Sequence, residues 1–108
     1  DMAVVDYIYV EKIYRDIGKS FNLIKLLFKE LVNIGVRQAI MQVQTYNKQR
    51  FFHYALSNKN IIKSTTIEVK GQKYEDQILL IEDLTKAANI SIKNLMIKAH
   101  YYNTESKN

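Results

Sequence analysis

The chain has no cysteine, no proline and only three glycines in 108 residues. Without cysteine there is no disulfide, no thiolate metal site and no cysteine nucleophile. This leaves the compartment open, and cytoplasm is the expectation by default. Without proline, and with so little glycine, the chain is expected to run in regular elements joined by tight connections. No apolar run reaches membrane-spanning length, because Lys25, Lys29 and Glu30 interrupt the longest one. The first residues show no basic segment followed by an apolar one, so no signal peptide is expected. Long blocks of like charge, internal repeats and low-complexity segments are also missing.

What is present is ordinary for a small globular domain. Apolar residues make up 47% and charged residues 25%, which argues against disorder. The length suits one domain. A net charge of +5 favours anionic partners: nucleic acid, acidic protein or a polyphosphate cofactor. The basic residues are spread along the chain, so a solvated basic surface with no single partner is the plain alternative. The aromatics do not interleave with basic residues as in a stacking platform, which disfavours nucleic acid.

Residues 3–10 read as a strand that is apolar on both faces, the pattern of a central strand. Residues 20–34 read as a helix, with Phe21, Ile24, Leu27, Phe28 and Leu31 at the spacing of a buried stripe and Gly35 as its stop. Residues 38–45 read as a second strand. Strand, helix and strand with short joints make a crossover unit, so the two strands are expected to be parallel. A short helix at 48–56, a strand at 61–69, a turn at 70–73 and a returning strand at 74–81 follow, the last two strands as an antiparallel hairpin. Near the C-terminus, Ile92, Leu95, Met96 and Ala99 have helical spacing, Ser91 is a candidate cap, and residues 104–108 read as a loose tail.

The stretch Val10-Glu11-Lys12-Ile13-Tyr14-Arg15-Asp16-Ile17-Gly18-Lys19-Ser20 stands out. It places a short basic loop with a glycine between a strand and a helix start. Such a junction makes a backbone anion site, because unpaired N–H groups and the helix dipole converge there. A lysine at position 19 is unfavourable at a helix start unless an anion, such as a phosphate, shares the site.

Arg15-Asp16-Ile17-Gly18-Lys19-Ser20 resembles the Arg/Gln-x-x-Gly-x-Gly/Ala signature of the GCN5-related N-acetyltransferases, with Ser20 in place of the usual Gly or Ala. Asn47 followed by Tyr54 matches a second feature of that family, an Asn after its fifth strand and a Tyr seven residues later. The resemblance covers about residues 3–84. It implies an α/β fold: an acetyltransferase-like partial mixed sheet in the order β-α-β-α-β-β with a C-terminal helix. In domain terms, 1–85 would be the C-terminal half of such a domain and 86–108 a helical extension and tail.

The resemblance also implies acetyl-coenzyme A as cosubstrate and a primary amine as acceptor. Residues Arg15, Asp16, Ile17, Gly18, Lys19 and Ser20 would bind the pyrophosphate. Val10 and Lys12 would bind the pantetheine arm and the thioester through main chain, and Asn47 would contact the arm. Tyr54 would donate a proton to the departing thiolate. Asp6 is the best-placed carboxylate for a general base. No metal is expected, since His53 and His100 lack ligand spacing.

The sequence departs from the family in lacking its acceptor-building N-terminal half and the Gly-Phe expected after Tyr54. A homo-oligomer, or a missing half, is therefore expected to cover the open sheet edges. The alternatives to an enzyme are a non-catalytic coenzyme A-binding module or a small basic nucleic-acid-binding module.

Overall fold

The computed structural model describes residues 2–5 and 17–106, with side chains described for 21–105. The order is β1 (Met2–Val5), α1 (Ile17–Asn33), β2 (Gln38–Gln44), α2 (Arg50–Ser57), β3 (Ile61–Val69), β4 (Gln72–Ile81), α3 (Leu84–Asn89) and α4 (Ile92–Ser106). The fold is mixed α/β. The four described strands form one sheet in the order β1-β2-β4-β3. β1 and β2 are parallel, with Met2 opposite Gln38 and Val5 opposite Met41. β4 runs antiparallel to both β2 and β3, so the returning strand of the hairpin lies between them. Among the described residues no helix is long and apolar enough to cross a membrane.

Local chemistry explains the element ends. Gly35 takes φ of 93°, and the N–H groups of Val36 and Gly35 reach back to the carbonyls of Leu31 and Val32 at 2.9 and 3.0 Å. This pairing is the Schellman closure that glycine permits. α2 ends the same way on Asn58 in the left-handed region, with Lys59 N–H donating to Tyr54 O at 2.7 Å. Lys70 and Gly71 both have positive φ, 51° and 78°, and Val69 pairs with Gln72. A two-residue loop with positive φ at both positions matches the right-handed strand twist and fixes the hairpin register.

Alternation in the strands sets the layers. Ala39, Met41 and Val43 of β2 and Gln77, Leu79 and Ile81 of β4 are buried on one face. All four helices contribute to the cores built on that face: Phe21 and Phe28 from α1, Tyr54, Ala55 and Leu56 from α2, Leu84, Ala87 and Ala88 from α3, and Leu95 and Ala99 from α4. α3 packs on α1, and α4 packs on α2. The opposite face, with Ile40, Gln42, Gln44, Asp76, Ile78 and Leu80, carries no helix among the described residues. There Gln42 donates through Nε2 to both Asp76 oxygens at 2.8 Å, and Gln44 donates to Oδ1 at 3.0 Å.

Several sequence expectations change. The first helix begins at Ile17, not Ser20, so Gly18 and Lys19 lie in its first turn rather than in a loop. Leu27, expected in the buried stripe, is 37% exposed, whereas Val32 joins the core. The C-terminal region holds two helices in place of one. Asp83 caps the extra one, its side chain accepting from Lys86 N–H at 3.0 Å. Thr104 to Ser106 continue α4 instead of forming a tail. Of the four residues at helical spacing, Leu95 and Ala99 are buried, whereas Ile92 and Met96 are 37% and 49% exposed. Within the described sheet β1 is an edge strand, not a central one. The part of the expected first strand beyond Val5 lies outside the described residues.

Candidate functional site

Asp6, Val10, Lys12, Arg15 and Asp16 lie outside the described residues. Ile17, Gly18, Lys19 and Ser20 form the first turn of α1, described through backbone alone. The first four N–H groups of a helix have no partner within it, and here they belong to these four residues. No acidic residue occupies this turn.

Asn47 and Tyr54 are both described, and both side chains are engaged. Asn47 is exposed in the turn between β2 and α2. Its Oδ1 accepts from Gln49 N–H at 2.8 Å, and its carbonyl accepts from Arg50 N–H at 3.1 Å and from the Arg50 guanidinium at 3.2 Å. Asn47 thus shapes the entry to α2, as short polar side chains do at helix starts.

Tyr54 points from α2 under the sheet. It is buried with Val43 and Leu79, and Phe51 and Tyr102 meet it edge-on at 6.1 and 6.2 Å. Its O–H donates to Gln77 Oε1 at 2.6 Å. Burial pushes the phenol above its ordinary range, partly offset by the Arg50 charge. The Lys59 ammonium caps the cluster, 5.5 Å from the Tyr54 ring centroid and 6.0 Å from that of Tyr102.

Sequence reasoning did not reach two features. One is Gln77, the buried partner of Tyr54, whose only signal is a polar residue at an inward position of an alternating strand. The other is a groove where α1, α2 and α4 meet, lined by Phe21, Ile24, Gln49, Phe52, His53, Leu56 and Leu95, with a cavity of about 30 Å³. Gln49, Phe52, His53 and Leu56 fall at helical spacing on one face of α2, which is the readable signal. His53 Nδ1 lies 3.1 Å from Gln49 O, so the tautomer carrying the proton on Nδ1 donates to that carbonyl. The residue keeps partial solvent contact. Burial of the ring still holds its imidazole below the usual histidine range, against the opposing effect of the Gln49 hydrogen bond.

Among the described residues no group of three His, Cys, Asp or Glu side chains could hold a metal ion. Compared with known proteins, the chain matches no family model, no curated protein and no solved structure.

Proposed function

We propose that this chain is the cofactor-binding half of a GCN5-related N-acetyltransferase, transferring acetyl from acetyl-coenzyme A to a primary amine by direct attack on the thioester. The observation that carries the reading is the element arrangement. A parallel pair, β1 and β2, surrounds the crossover helix α1, and a hairpin follows whose returning strand lies beside β2. In this reading the first-turn N–H groups of α1 hold the pyrophosphate, and Arg15 and Lys19 add charge. Val10 and Lys12 bind the pantetheine arm and the carbonyl through main chain, and Asn47 contacts the arm. Asp6 takes the proton of the amine.

Tyr54 is the proposed acid. A phenol raised by burial stays protonated at neutral pH, as an acid must. To act, its O–H has to leave Gln77 Oε1 for the departing sulfur.

The test is thermal stability with and without acetyl-coenzyme A, and with an oligonucleotide. Ligand at about 100 times its Kd adds about 2.7 kcal/mol. Arg15→Glu should weaken binding, while Tyr54→Phe should spare binding and slow thiol release. Absence of a shift with the cofactor in a folded sample defeats the proposal. Binding without thiol release leaves a non-catalytic coenzyme A module, and a shift with the oligonucleotide alone leaves a nucleic-acid module.

A further inference from the structure

We propose that the His53 groove is an acid-operated latch, in which protonation drives the ring out of the α1–α2–α4 junction and opens the groove locally. Every other side chain lining the groove is uncharged, and all but Gln49 are apolar. The cavity is almost wholly apolar in its lining and offers too few polar partners to hold a water firmly. A neutral imidazole fits this setting. One nitrogen donates to the Gln49 carbonyl, and the ring lines the cavity together with Phe21, Ile24, Phe52 and Leu95.

An imidazolium does not fit. The cations on the helices that meet here are no partners for it: Lys25 and Lys29 on α1, Arg50 on α2, and Lys93 and Lys98 on α4, with Lys25 over the Phe21 ring, Arg50 over the Phe51 ring and Lys98 bonded to Asn58 Oδ1. The described carboxylates of α1 and α4, Glu30 and Glu105, lie at least six residues along their helices from Ile24 and Leu95. Among the described residues no carboxylate lines the groove to pair with a second ring proton, so the charged ring gains most by moving into water. Its existing solvent contact provides the exit. The part of α2 that would come free begins beside the Asn47 turn, so the latch governs how closely α1 and α2 face each other. The latch stands or falls independently of the acetyltransferase proposal.

The sign follows from proton linkage. A group held neutral by the closed state opposes closure increasingly as pH falls from its open-state value, near 6.5, to its lower closed-state value. The experiment is an NMR titration of the whole chain from pH 8 to 5. It reads the His53 ring, the methyls of Ile24, Leu56 and Leu95, and amide exchange along α2. The methyls should move with the midpoint of the His53 ring. The opening constant, corrected for intrinsic exchange, should rise by up to about tenfold per pH unit across that window. His53→Leu should abolish this dependence, and His100→Gln should retain it. Methyls that stay still while His53 titrates, or an unchanged transition in His53→Leu, would overturn the proposal. If His53→Leu fails to fold, agreement or disagreement of the wild-type midpoints decides alone.

Discussion

The Tyr54–Gln77 pair offers a direct measure of how the second core cluster is held. Tyr54 is 5% exposed and Gln77 8%, and the hydrogen bond between them is 2.6 Å long. Tyr54→Phe keeps the ring, its edge-on aromatic neighbours and the Lys59 ammonium above it, and removes only the donor. Gln77 Oε1 is then left in an almost dry site, at a cost of about 1–3 kcal/mol. Gln77→Met keeps volume and strands the phenol instead, at a similar cost. The two losses should not add. Replacing both partners with apolar groups of similar shape can be nearly neutral, so the double variant should lose no more than either single one. The coupling should then be about 1–3 kcal/mol. Urea unfolding of the four proteins supplies the cycle, with equal m-values as the check that the denatured state is unchanged. Single losses that add to within about 0.5 kcal/mol would refute the claim that the pair acts as a unit. The cycle also bears on function. Under the proposed reaction, a strongly coupled pair would mean that Tyr54 gives up that energy before its proton serves a leaving thiolate.

Two further outcomes follow from the core and the caps. Phe28 is fully buried, so Phe28→Ala should cost about 3–5 kcal/mol, whereas Leu26→Ala, at a residue 61% exposed on the same helix, should change stability by less than about 0.5 kcal/mol. Urea midpoints compare the two, and a similar loss at both sites would contradict the described orientation of α1. Asp83→Ala should cost about 1 kcal/mol by removing the bond to Lys86 N–H, and Asp83→Asn should recover most of it, read by the same unfolding assay.

Much of the fold was legible because its signals are local. The three-and-four spacing in α1, Gly35 as its stop, the β-branched run of β3 and the Lys70-Gly71 turn each act through neighbours in sequence. The misses are cases where local and tertiary preferences part. Leu27 satisfies the helical stripe, but it lies to one side of the Phe21–Phe28 line, and the sheet and α3 meet that line first. The short helix α3 has too few residues for a period to show, and only the Asp83 cap marks it. Ile92 and Met96 share an apolar pattern with Leu95 and Ala99, but α2 offers only a narrow strip for packing, and Leu95 and Ala99 fill it.

The candidate site divides along the same line. Asn47 and Tyr54 were singled out by the family resemblance, and they lie in the turn before α2 and in the body of α2. What spacing cannot supply is the partner: Gln77 lies 23 residues from Tyr54 and meets it only because β4 returns beside β2. The role of Tyr54 therefore depends on sheet order as much as on α2. Were β4 to pair outside β3, Val43 would no longer face Gln77 and the phenol would lose its acceptor. A buried tyrosine with one strong partner is a well-held acid, and its proton is released only where a better acceptor enters the same space. The thiolate of the proposed reaction is such an acceptor, since a charged oxygen or sulfur binds a donor more strongly than a neutral amide does. In the free protein the Tyr54 O–H is held by Gln77 Oε1; under the proposed reaction it would act only with the thiolate in place.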